Sequence, residues 1–138
     1  MLLIMAGVIC VFLGYSSEGK TEEKSDKWAY YGKSDNGDFY YDKTSVKQVR
    51  KNIMRVSDKL IFKKENVKPS KKDNNKKMDN QITLHEFNCG TKERKLIKFV
   101  TYNKDGKILE SYEKPNSSSH KIEPNTIYDI LRKKICQE

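Results

Sequence analysis

Two turn dipeptides, Asn36-Gly37 and Asp105-Gly106, constrain the fold of this chain more than any other feature. Each lies between runs of strand-favouring residues, and Asn-Gly or Asp-Gly in such a place supplies the backbone freedom that a tight hairpin needs. WAYYG (28–32) and DFYYD (38–42) flank the first turn, so these aromatic strands are expected to be antiparallel neighbours. RKLIKFVTYN (94–103) and KILESYEK (107–114) flank the second. Between the hairpins lie a long strand from about Ile53 to Lys63 and the strand ITLHEFNC (82–89), which makes six in all. Met54, Val56, Leu60 and Phe62 share one parity, and strand alternation puts them on the core face. Asp58 interrupts that pattern, which predicts a bulge or a kink near Ser57. In the 82–89 strand, His85, Phe87 and Cys89 fall on one face.

The remaining segments are read as follows. TSVKQVRK (44–51) is expected to form a short turn of helix, and PNSSSHKIEP (115–124) a loop. Residues 63–80 carry seven Lys against three acids and one Pro, with no apolar period. They are expected to be a long exposed loop, partly disordered, because nothing in them can bury apolar surface. The chain closes with a helix, for which Thr126 and Asp129 offer a T-x-x-D capping box just after Pro124. Ile127, Ile130, Leu131 and Ile135 make one apolar stripe at helical spacing. Arg132, Lys133 and Lys134 fall in the last turn, where positive charge complements the helix dipole. The expected fold class is α+β: a mostly antiparallel sheet of about six strands with a C-terminal helix packed on it.

The N-terminus points to export. Residues 2–14 form an unbroken apolar run, shorter than the ~20 residues a spanning helix needs and within the ~7–15 of a signal-peptide core. Gly14 and Ser16 are the small residues expected before a cut after Ser16. No Lys or Arg precedes the run, so the basic n-region is absent; the start lies upstream or the signal is a poor one. Cys10 raises the alternative of a lipoprotein, but bulky Ile9 stands where lipidation favours Gly or Ala. The segment's other alternative is a buried element of the domain. The organisation expected is thus a signal peptide (1–16), a flexible leader (17–27) and one domain (28–138). Removing the signal leaves two of three Cys, an even number that suits an oxidising compartment. A Cys89–Cys136 disulfide would tie the helix to the sheet and stabilise the fold by roughly 4 kcal/mol in the chain-entropy model. The alternative is two unpaired buried thiols.

The opening strand WAYYG, the hairpin NGDFYYD, a strand ending in EFNC, RKLIKFVTYNKDGKIL and the closing PNTIYDILRKKIC together resemble the surface-adhesin protein E family. That family comprises small exported bacterial proteins and lipoproteins, and the resemblance spans about residues 28–136. It implies an antiparallel sheet with helical cover, and an adhesin's role towards host matrix and plasma proteins. It carries over no binding residues.

The residues give little sign of catalysis. Only two histidines are present, and His85 and Cys89, four apart on a strand, stand ~13 Å from each other, too far to share a metal. A Cys89 nucleophile would be consumed by the disulfide. No phosphate loop, G-x-S-x-G or H-E-x-x-H occurs. The chain is read as non-enzymatic, with no cofactor and no metal. Its net charge of +9 favours anionic partners: an extracellular matrix protein, an acidic glycan or an acidic protein. Nucleic acid is disfavoured by export and by the acidic balance of WAYYGKSDNGDFYYD. Lys71, Lys72, Lys76 and Lys77 are the candidate ligand-binding residues. If the pairing is regular, alternation puts Tyr30 and Tyr40 on a different face from Tyr31 and Tyr41, which would leave one pair exposed as an anchor. The leading expectation is an envelope or surface binding module, with the periplasm, cell surface and medium all open. A periplasmic inhibitor or accessory factor is the second reading. A small hydrolase, gathering His85 or His120 with carboxylates, is the third.

Overall fold

The computed structural model describes residues 27–64, 69–70 and 73–137. Ten strands run through them: β1 (Trp28–Ser34), β2 (Gly37–Asp42), β3 (Lys47–Arg50), β4 (Ile53–Phe62), β5 (Pro69–Ser70), β6 (Asp73–Lys77), β7 (Asn80–Asn88), β8 (Glu93–Tyr102), β9 (Ile108–Glu113) and β10 (Ser119–Lys121). One α-helix, α1 (Ile127–Ile135), follows. Eight strands form one sheet in which every pairing is antiparallel. Strands β2 and β3 share one edge of β4, and β9 and β10 share the outer edge of β8. The sheet is therefore six positions wide, close to the six strands expected.

Both hairpins form, though the first turns one residue early. Ser34 lies opposite Gly37, so Asp35 and Asn36 make the turn, and neither takes a positive φ. Gly37 is needed for a different reason: a Cβ there would lie 1.9 Å from the Ile61 carbonyl oxygen. Only glycine lets β2 approach β4 so closely. In the second turn Gly106 N–H donates to the Asn103 carbonyl at 3.0 Å. The Asn103 side chain accepts from the Asp105 and Lys107 amides, and Gly106 takes φ 79°.

Four expectations are corrected. Residues 44–51 do not form a helical turn: a 3-10 turn at Lys43–Ser45 gives way to strand β3. The Asp42 carboxylate accepts from the Thr44 amide and hydroxyl and ends the preceding strand. Asn52, at φ 62°, then folds β3 back onto β4. No bulge occurs near Ser57, because β4 pairs without a break with β7 through Ser57 and Asp58. Irregularities fall instead elsewhere in the sheet: Ile97 of β8 is the extra residue opposite Leu84 and His85, and the β1–β2, β3–β4 and β8–β9 pairings each shift register, at Tyr31, Val49 and Leu109. Within the expected loop 63–80, β5 and β6 pair as a two-stranded ribbon, held by backbone bonding with no apolar pattern to announce it. The expected loop 115–124 contains β10, a polar triplet paired with Glu93–Lys95.

The core lies between one sheet face and α1. Tyr31, Phe39, Val56 and Phe87 from the sheet meet Leu131 and Ile135 from the helix, with Met54 and Leu60 at the margin. Phe87 and Leu131 are fully buried, and each contributes roughly 2 kcal/mol by leaving water. Ile130, expected in this stripe, is 38% exposed, at the helix's outer edge. The expected capping box does not form, because Thr126 makes no side-chain cap. The Thr126 hydroxyl turns away to donate to the Glu123 carbonyl, and the Asp129 carboxylate accepts from the Asn125 amide and from Arg132. Those bonds, the Asn125 amide first, hold the Asp129 carboxyl down at about 2. At the far end Cys136 is bonded to Cys89, with Cα atoms 5.8 Å apart, within the ordinary span of a disulfide. Among the described residues, no helix is long and apolar enough to cross a membrane.

Candidate binding surface

The two sheet faces differ sharply in what they present. On the helix side, Asp58 sits at the centre of a buried polar chain. The Tyr31 hydroxyl donates to Asp58 Oδ2 at 2.6 Å, and His85 Nε2 meets Asp58 Oδ1 at 2.9 Å. Arg94 approaches His85 Nδ1 at 3.1 Å. A guanidinium can only donate, so Nδ1 accepts and Nε2 carries the hydrogen given to Asp58. His85 packs between Phe87 and Tyr128, and the Arg94 guanidinium lies 3.9 Å over the Tyr128 ring. Burial, and then the Asp58 charge, push the Tyr31 phenol far above its ordinary range. Burial likewise raises Tyr128. Both oxygens of Asp58 and both nitrogens of His85 are engaged, and His85 is 1% exposed. This arrangement specifies how α1 and the sheet meet. It was hidden in the sequence as an interruption at Asp58; the available signal was a carboxylate at a core parity and a histidine at a core parity in another strand.

The opposite face carries no helix among the described residues. Trp28, Tyr30, Tyr40, Lys59 and Ile61 share it by register. Tyr30 is 54% exposed and Ile61 41%. Tyr30 and Tyr40 meet edge to face with centroids 5.6 Å apart. Tyr31, by contrast, is the extra residue of an irregularity in the β1–β2 pairing and is buried against Phe39 and Tyr41. Tyr30 and Tyr31 thus face opposite ways, although the pairing is not the regular one the expectation assumed. Lys59 Nζ stands 4.3 Å from the Trp28 ring and Lys27 Nζ 5.5 Å. Burial, then the Lys27 charge, lowers the Lys59 ammonium. Lys27 also pairs with Asp42 at 3.0 Å. Burial alone would raise the Asp42 carboxyl, but bonds from Thr44 and Lys27 more than offset it and hold it below its usual value. A cationic aromatic surface results, with the rings fixed by their strands and the charges fixed on the rings.

A sequence profile described as Surface-adhesin protein E matches residues 28–137. The chain belongs to that family. It is thus an adhesin-type protein, and export agrees with its membership. Three solved structures of Haemophilus influenzae protein E share the fold. Crystal form II aligns with a TM-score of 0.57 at 13% identity, covering 80% of this chain and 87% of that one. A second structure gives 0.54 at 15%, covering 80% and 84%. A third, from a non-typeable strain, gives 0.53 at 11%, covering 80% and 76%. At such identities the likeness is one of fold. Comparison with curated protein sequences gives no match.

Of the candidate lysines in this adhesin E family member, Lys71 and Lys72 lie outside the described residues, as do the expected signal segment and most of the leader. Lys76 and Lys77 lie on β6, and Lys77 is exposed. The ribbon springs from the end of the sheet where Phe62 N–H donates to the Asp79 carbonyl and Lys63 N–H to that of Asn36. Ile61, at the exposed face, pairs with Asn80 and Asp38 at that same end. The basic ribbon therefore leaves the sheet at the end where Ile61 lies on the aromatic face. Sequence reasoning named the Tyr30/Tyr40 pair but missed Trp28, Lys27 and Lys59, whose grouping depends on the β1–β2–β4 register. His120 is on β10, apart from His85.

Proposed function

We propose that the protein is an exported, surface-displayed, non-catalytic adhesin that binds an acidic host matrix protein. The aromatic face is the anchor and the Lys-rich 63–80 segment the electrostatic guide. The observation that carries this reading is the exposed Tyr30 ring, braced edge to face by the half-buried Tyr40, beside Trp28 and its two lysines. Aromatic side chains held rigid on a sheet lose little entropy on binding and dominate interface energies. Family membership supports the adhesin role, and the net charge of +9 supports an acidic ligand. Among the described residues, the buried Tyr31 hydroxyl, Asp58 and His85 are bonded to one another on the helix side of the sheet.

The test is binding of the mature chain to immobilised matrix proteins, and to heparin as a glycan arm, across a salt series. Tyr30→Ala with Tyr40→Ala is expected to weaken matrix binding about thirtyfold at every salt concentration, as loss of a ~2 kcal/mol anchor would. Replacing Lys71, Lys72, Lys76 and Lys77 by Gln is expected to weaken it about tenfold at low salt and little at high salt. Affinity unchanged in both variants would sink the proposal. Binding to heparin alone would redirect it to a glycan.

A further inference from the structure

On the helix side of the sheet, away from the aromatic face, α1 and β10 enclose an open cavity of about 320 Å³. Arg94 from β8, Lys121 from β10, Ile122, and Ile127 and Tyr128 from the first turn of α1 line it. We propose that this cavity binds a small apolar molecule bearing one carboxylate, with Arg94 as the group that holds the carboxylate.

The first argument is the state of Arg94. Its interactions are the bond to His85 Nδ1 and the stack on Tyr128, and among the described residues no carboxylate forms an ion pair with it. Arg50, Arg55 and Arg132 each have one. A half-buried guanidinium without a counter-ion, facing a cavity, is a receptor for an anion. It is also preorganised: His85 fixes one donor and is itself fixed by Asp58, while Tyr128 fixes the guanidinium plane. A ligand would find the fork already ordered, which lowers the entropic cost of binding.

The second argument is the rest of the wall. His120 adds a polar ring at the mouth, while the Lys121 ammonium beside it donates to the Thr91 carbonyl at 3.2 Å. Glu123 also lines the rim, is exposed, and makes no ion pair with Arg94. Thr126 makes no side-chain cap on the helix, so the amides of the first turn add to the attraction for an anion. Ile122, Ile127 and the Tyr128 ring supply apolar surface for the body of the ligand. The volume sits at the small end of the ~300–1,000 Å³ usual for ligand sites, which suits a single ring or short aliphatic chain. A planar carboxylate matches the flat guanidinium fork better than a tetrahedral phosphate does.

The test is amide-resolved NMR titration of the mature protein with benzoate, benzamide and phenyl phosphate, and with N-acetyl-alanyl-phenylalanine to represent a peptide C-terminus. Benzoate is expected to bind saturably, to shift the amides of Ile122, Ile127 and Tyr128, and to bind at least tenfold more tightly than neutral benzamide. The dipeptide binding more tightly than benzoate would keep the site and identify its ligand as a chain terminus. Arg94→Gln is expected to weaken benzoate at least tenfold, and Lys104→Gln, in the distant β8–β9 turn, to leave it unchanged. Equal binding of benzoate and benzamide overturns the proposal, as does tenfold preference for phenyl phosphate or undiminished binding in Arg94→Gln. If Arg94→Gln does not fold, the benzoate and benzamide comparison on the unaltered protein decides the matter alone.

Discussion

Removing the Asp58 carboxylate would leave the Tyr31 hydroxyl and the His85 Nε2 hydrogen buried without an acceptor. Such groups each cost about 1–3 kcal/mol, and Arg94 would lose the nearby negative charge that His85 relays. Asp58→Ala is therefore expected to destabilise the fold by about 3 kcal/mol, and Tyr31→Phe, which deletes one donor and leaves an acceptor otherwise bonded, by about 1 kcal/mol. Urea unfolding measures both. Equal losses in the two variants would mean that water replaces the missing oxygens. Only half of this cluster was legible in the sequence. His85 could be assigned to the core by parity, and Asp58 stood out as a polar residue among apolar ones. That they face each other depends on the offset between β4 and β7, two strands joined through the long 63–80 segment. No local pattern encodes that offset, so a partner became an anomaly and the anomaly was read as a bulge.

At the scale of elements, α1 is secured to the sheet at both ends by different means. Its first turn meets the sheet through Tyr128, His85 and Arg94, and its last through the Cys89–Cys136 bond, which closes a separation of 47 residues. Replacing both cysteines by Ala is expected to cost roughly 4 kcal/mol. The loss would show as a lower urea midpoint and as early hydrogen exchange confined to α1 and the end of β7. Exchange spreading evenly through β1 and β2 would show instead that the helix cap governs the whole sheet. The bonded pair was readable because each cysteine ends an apolar element and the count was even. Strands β1, β2, β4, β7, β8 and β9 were readable because alternation or a turn dipeptide marks each. Strands β3, β5, β6 and β10 were not. They are short and polar, and hold their places through backbone pairing, which any sequence without proline at the bonded positions can supply.

For the molecule as a whole, the sheet separates two surfaces of different character: a fixed guanidinium above a cavity on one side, and fixed aromatic rings with lysines on the other. The basic ribbon leaves from one end. Its stem is the Ile61–Asn80 pairing, closed by the Phe62–Asp79 bond, and the core formed by the described residues lies elsewhere, between the sheet and α1. Replacing residues 64–77 by an Asn-Gly turn removes six Lys and two acidic residues, lowering the net charge from +9 to +5. Because β4 and β7 already run antiparallel up to that stem, a two-residue turn fits the geometry. The shortened protein is expected to melt within about 5 °C of the original, since none of the described core residues is removed. Its affinity for an acidic matrix protein should fall about tenfold at low salt, with a flatter salt dependence, while benzoate binding at Arg94 stays as it was. A melting temperature lowered by more than about 10 °C would show that the ribbon supports the sheet. Unaltered matrix affinity with an unaltered salt slope would place all of the attraction on the lysines of the sheet face, Lys27 and Lys59, which the shortened chain retains.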